Sequence, residues 1–171
     1  VIPNFVDTES VRPMERENSY RTEYGLAGKK VVMYAGNVGM SQSLDLLVHA
    51  ARETRDRDDI VYVVNGVGST LAELEESAKS LPNMRFVPMQ PLERLPELLA
   101  AADLHVVPLK RGLSRSSVPS KTYSILAAGR PLLASVDEGS EGQRISEAAD
   151  AGVSVPPEEP ATFVAALRAL I

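Results

Sequence analysis

The chain has no cysteine and no tryptophan, and only 5% of its 171 residues are aromatic. Without cysteine, disulfides and thiolate metal sites are excluded. Only two histidines are present, His49 and His105, and neither has a second histidine at ligand spacing, so no metal site is expected. Nor does any run approach the length of a membrane span. Lysine and arginine are scattered, with a formal net charge of −5 and no basic stripe, which argues against a nucleic-acid surface. Nothing resembles a hydrolytic triad.

What is present is an ordinary globular composition, 44% apolar and 24% charged, on a chain long enough for one domain with a sizeable core. The start at Val1 without Met, on an apolar segment, and the stop at Ile171 inside a helical pattern lead us to expect a piece of a longer protein, without a leader peptide at its start. Six short apolar runs alternate with helical patterns. The runs are Val31 to Ala35, Ile60 to Val64, Met84 to Val87, Leu104 to Val107, Pro131 to Ser135 and Val153 to Val155. Between them lie helices through Leu44 to Ala51 (capped by Ser41), Leu71 to Ala78, Leu95 to Ala102, Pro119 to Ala128 (closed by Gly129), Glu141 to Ala149 and Ala161 to Leu170. Such alternation predicts parallel βαβ units with right-handed crossovers: an α/β, doubly wound, Rossmann-like sheet of six parallel strands. Residues 1–25 read as a linker and a short helix, and 26–171 as the core of a single domain.

In an open sheet of this kind, ligands bind beyond the carboxyl ends of the strands. That rule selects Gly36 to Gln42, Gly66 to Ser69, Val87 to Gln90 and Leu109 to Lys121. Two of these are glycine turns leading into helices, Gly36-Asn37-Val38-Gly39 and Asn65-Gly66-Val67-Gly68. Glycine permits close backbone approach, and open N–H groups at a helix start favour an anion. Either turn is also compatible with nothing more than a tight bend. The fourth segment gathers Ser116, Ser117, Ser120 and Lys121 at a helix start, with Arg111 and Arg115 nearby. Hydroxyls and an ammonium there suit a diphosphate; plain capping by Ser117 with a solvated Lys121 is the alternative. His105 reads as packed within a strand. Asp137, Glu138 and Glu141 either set the start of a helix or meet sugar hydroxyls at the crevice rim.

Taken in order along the chain, these segments resemble a known family. Val1-Ile2-Pro3-Asn4-Phe5-Val6-Asp7, Tyr34 to Gly39, Ala101 to Pro108, Pro119-Ser120-Lys121 and Ala127 to Ala134 are similar to blocks of the retaining GT-B glycosyltransferases of the group 1, family 4 type, closest to the bacterial colanic-acid and O-antigen polysaccharide enzymes. The resemblance implies the C-terminal, donor-binding half of a GT-B fold, inactive by itself. Its activity would be sugar transfer from a nucleoside-diphosphate sugar to an acceptor hydroxyl with retention, in the synthesis of cell-surface polysaccharide or glycolipid.

Carried over by residue, Gly36, Asn37, Gly39 and Gln42 would face the donor phosphates and sugar, with Gly66 and Gly68 closing the other side. Val87 and Met89 would border the base. Arg115, Ser116, Ser117, Ser120 and Lys121 would hold the diphosphate and transferred sugar, with Lys121 and Ser116 closest to the chemistry and Ser124 near the ribose. Ser116 and Ser124 stand where many relatives carry Glu, and Asn37 and Gln42 where many carry Arg and Lys. No cofactor or metal is implied. A UDP- or GDP-linked sugar is the substrate, and a sugar or lipid-linked acceptor and an N-terminal acceptor-binding domain are the partners. The location implied is cytoplasmic, with association at the inner membrane face open. Other readings of the same fold are a nucleotide-sugar epimerase, which needs converging carboxylates and a histidine, and a non-catalytic nucleotide-binding or interaction module. An NAD domain lacks both its glycine pattern and an acidic end to the second strand.

Overall fold

A computed structural model of the chain describes residues 5–113 and 120–171. All six expected strands form: β1 (Lys30–Ala35), β2 (Ile60–Asn65), β3 (Met84–Val87), β4 (Leu104–Pro108), β5 (Leu132–Ser135) and β6 (Gly152–Val155). Every pairing is parallel, in the order β3-β2-β1-β4-β5-β6. The sheet is therefore wound outwards in both directions from β1 and β4. The helices are α1 (Ser19–Glu23), α2 (Asp45–Glu53), α3 (Leu71–Ala78), α4 (Leu95–Ala100), α5 (Lys121–Ala127), α6 (Glu141–Ala148) and α7 (Pro160–Leu170).

Parallel strands covered on both faces need apolar residues at odd and even positions alike. β2 meets that demand at all six positions. On β1, Val32 and Tyr34 enter a core closed by α2, α3 and α7, whereas Val31 and Met33 enter a second core closed by α1, α4 and α5. His105 is buried in β4, and its Nε2 lies 2.9 Å from the Leu99 carbonyl. A carbonyl only accepts, so that nitrogen carries the proton. Burial holds the ring neutral, with its pKa pushed down to about 4.

Local signals set the ends of the elements, with one departure from expectation. Gly129, at φ +66°, donates its N–H to Leu126 while Arg130 donates to Ile125, the paired bonds of a left-handed glycine helix end. Ser140 caps α6 through the Gln143 N–H. Ser41, by contrast, caps nothing. Its carbonyl accepts the Lys110 N–H and its hydroxyl accepts Gln42 Nε2, so α2 starts only at Asp45, with Leu44 in the cap position. Helix α5 is described from Lys121 onward, and Ser120 before it makes no side-chain cap; the expected start at Pro119 lies outside the described residues. The segment ahead of β1 is packed: Val11 and Tyr20 belong to the second core. Arg21 is fully buried, bonded to Glu17, Asp103 and the carbonyls of Lys29 and Ala101. No helix among the described residues is long and apolar enough to cross a membrane.

Candidate functional site

The strand order reverses between β1 and β4, and a cavity of about 540 Å³ opens there, beyond the carboxyl ends of β1, β2 and β4. This is the position the doubly wound topology favours for a ligand. One side is polar, made by Gly36, Asn37, Gln42, Ser120, Lys121 and Ser124. The other is apolar, where Met89, Pro91, Leu92, Leu95, Leu98 and Leu99 present side chains from the β3–α4 connection and α4 itself.

Lys121 is the one charged side chain among the described residues lining the cavity. It is the first residue of α5, yet its ammonium reaches across to β1. Nζ donates to the Tyr34 hydroxyl at 2.8 Å and sits 3.9 Å from the centroid of that ring. No carboxylate pairs with it among the described residues. Desolvation pushes its pKa down to about 8, because taking a charge from water without a counter-ion favours the neutral form. Gly36 makes room for this reach. Its φ is +137°, and a Cβ there would lie 3.0 Å from Lys121 Nζ. The first glycine turn therefore admits the lysine as well as exposing backbone.

The remaining expected site residues divide into three groups. Gly36, Asn37, Gln42, Met89, Ser120, Lys121 and Ser124 line the cavity together. Gly39, Gly66, Gly68 and Val87 do not. The Gly39 N–H is occupied by Gln42 Oε1 at 3.0 Å, and its neighbourhood opens on a separate surface groove with Met40, Asp45, Glu73 and Lys110. Gly66 and Gly68 lie against the first turn, where a Cβ on either would come within 1.9 Å of the carbonyl oxygen of Gly36 or Val38. Val87 is buried, and its carbonyl accepts the Gly66 N–H. Arg115, Ser116 and Ser117 lie outside the described residues.

Arg111 turns towards the β6–α7 connection, bonded to the Pro157 carbonyl and paired with Glu159. Asp137 accepts the Gly112 N–H, and Glu141 pairs with Arg144; neither lines the cavity. No group of three or more histidines and carboxylates comes together among the described residues.

Sequence reasoning missed Tyr34, Asn65 and the leucine wall of α4. Asn65 ends β2 in the cavity and donates to the Pro88 carbonyl and the Tyr20 hydroxyl. Gln90 is held by Tyr24, Arg94 and the Pro88 carbonyl. An asparagine ending an apolar strand is a findable signal, since a polar amide there needs partners. The leucines carry no such signal, because an apolar stripe reads the same against a core or a cavity.

Comparison with known proteins gives the family and the fold. The family described as Glycosyl transferases group 1 matches residues 29–171. The chain belongs to that family. Among curated relatives, WcaI of Escherichia coli (strain K12), named for glycosyl transfer in colanic acid biosynthesis, is 36% identical over 143 residues, covering 82% of this chain and 35% of the relative. The chain spans only 35% to 40% of the length of the curated relatives it matches. Among solved structures, the C-terminal domain of the group 1 glycosyl transferase LpcC from Francisella tularensis superposes with a TM-score of 0.74 at 18% identity, over 97% of this chain and 87% of that domain. Anabaena HepE, solved in complex with UDP, gives a TM-score of 0.74 at 16% identity, over 96% of this chain and 45% of that one. At those identities the likeness is one of fold, and the fold is that of the C-terminal half of GT-B glycosyltransferases.

Proposed function

We propose that the cavity at the β1/β4 junction binds a nucleoside-diphosphate sugar, UDP- or GDP-linked, and that the chain is the donor half of a retaining glycosyltransferase of surface polysaccharide or glycolipid synthesis. The observation that carries this reading is the desolvated ammonium of Lys121 in the cavity wall beside Gly36, which pairs with no carboxylate among the described residues. A cation held out of water without a counter-ion is strongly favoured by an anion that enters beside it. The apolar wall from Met89 to Leu99 offers a surface for the flat face of a base, while the polar side takes the diphosphate and sugar. Family membership and the UDP bound in the HepE structure support the same assignment.

During transfer, the bond from the anomeric carbon to the diphosphate oxygen breaks with its electron pair going to that oxygen, a bond to the acceptor oxygen forms, and the acceptor's hydroxyl proton passes to the departing diphosphate. Negative charge grows on the departing diphosphate. A fixed ammonium stabilises that charge with no reorganisation when it develops, and this is the role of Lys121. No cofactor or metal takes part in this scheme. The acceptor, a sugar or a lipid-linked one, is held by an N-terminal domain, and closure of the two halves keeps water from the donor. Action at the cytoplasmic side of the membrane fits such substrates.

Calorimetric titration of the chain with UDP, GDP and ADP and their sugar conjugates tests the reading. One base is expected to be preferred, and Lys121→Ala to weaken its binding about 10- to 100-fold, the range of a charge-assisted bond. Equal affinity in the variant, or no binding by any nucleotide at millimolar concentration, overturns it.

A further inference from the structure

A lysine at the start of a helix has a four-carbon stem and many rotamers, few of which aim its ammonium into one cavity. Something must choose the rotamer, and the choice is visible on β1. Tyr34 is fully buried, and its hydroxyl makes two bonds: it accepts from Lys121 Nζ at 2.8 Å and donates to the Asn37 carbonyl at 2.5 Å. Neither bond can be reversed, since an ammonium only donates and a carbonyl only accepts. The phenol thus ties the cation from α5 and the glycine turn after β1 into one chain of contacts.

We infer that Tyr34 is the positioning residue of this site, fixing the Lys121 ammonium and the Gly36–Asn37 turn in the ligand-ready geometry before a diphosphate arrives. The inference rests on the diphosphate reading given above. A carboxylate in place of the phenol would hold the lysine equally well, but would cancel its charge. The phenol holds it by a hydrogen bond and by its ring face and leaves the full positive charge for the ligand. Among the described residues, only one of the three ammonium N–H groups is used. The titratable groups facing Lys121 among the described residues are Tyr34 from β1, whose own ionisation burial pushes up, and the buried neutral His105 from β4. Neither supplies a counter-charge.

Tyr34→Phe keeps the ring and the packing and removes the hydroxyl. UDP is the probe, titrated calorimetrically, and carbon-labelled lysine reports the Lys121 titration by NMR in the ligand-free chain. Losing the acceptor should weaken UDP binding about tenfold and move the Lys121 midpoint to lower pH. In a Lys121→Met background the same substitution should change UDP affinity less than about twofold, because the two residues act as one unit. An equal effect in both backgrounds, or an unmoved midpoint, overturns the inference and leaves Tyr34 as packing. Nuclear Overhauser contacts between the Lys121 side chain and the Tyr34 ring in the unsubstituted chain form an arm independent of any variant's folding, and their absence overturns it as well. Should the unsubstituted chain bind no UDP, the diphosphate reading fails by itself, while the NMR arms still decide whether Tyr34 sets the lysine.

Discussion

The turns after β1 and β2 look like copies, each with Gly, Val and Gly in succession within a few residues, but a methyl group added to them meets different matter. At Gly36 it meets the far end of a lysine side chain; at Gly66 and Gly68 it meets backbone carbonyls of the first turn. The bonds Gly36 to Asn65, Val38 to Val67 and Thr70 to Val38 continue the β1–β2 ladder past the strand ends. The second turn is thus a buttress, small so that the first can lie on it, and the first is the one that faces the cavity. Glycine spacing alone does not separate a turn that approaches a ligand from a turn that approaches another turn.

Three substitutions or conditions break or sharpen this contrast. Gly66→Ala or Gly68→Ala should have the largest effect, about 3 kcal/mol or more of lost stability in chemical denaturation, because the clash is with backbone that has nowhere to go. Nucleotide binding would fall with it. Gly36→Ala should destabilise by only about 1–2 kcal/mol, the strain of the positive φ, yet weaken UDP binding in the folded chain by displacing Lys121. Equal stability losses at 36 and 66 would erase the distinction. The smallest effect is one of pH on the unsubstituted chain. The protonated lysine binds the anion, and its pKa is pushed down to about 8. UDP affinity should therefore hold below that value and fall roughly tenfold as pH rises from 7.5 to 9.5. Lys121→Ala should flatten the profile, and a profile flat from the outset would place the cation elsewhere.

The fold was legible because a doubly covered parallel sheet writes itself as apolar runs, as Ile60 to Val64 does without interruption. The general place of the cavity followed from topology, and Gly36 and Lys121 in its lining from their positions just after β1 and at the start of α5. Other features were hidden for physical reasons. A tyrosine within a strand carries the same signature whether its hydroxyl is idle or, like that of Tyr34, holds a cation. Leu95, Leu98 and Leu99 satisfy a helical stripe that serves both the second core and the cavity. Ser41 shows the reverse error: a hydroxyl ahead of a periodic run promises a cap, but accepting from Gln42 uses it in the loop, while the Ser41 carbonyl accepts the Lys110 N–H.

The short helix α1 has a further consequence for where this molecule can be cut. Tyr20 and Tyr24 reach forward to Asn65 and Gln90, and Arg21 reaches the carboxylate of Asp103. A fragment beginning at Gly25, where the first strand is about to start, would not be a smaller version of the same receptacle. It would release both amides from their phenolic anchors and strand an acid that the missing guanidinium had balanced. The minimal unit that keeps its hollow in shape must therefore carry the residues ahead of the sheet, and a trimmed version is a poor surrogate for ligand screening.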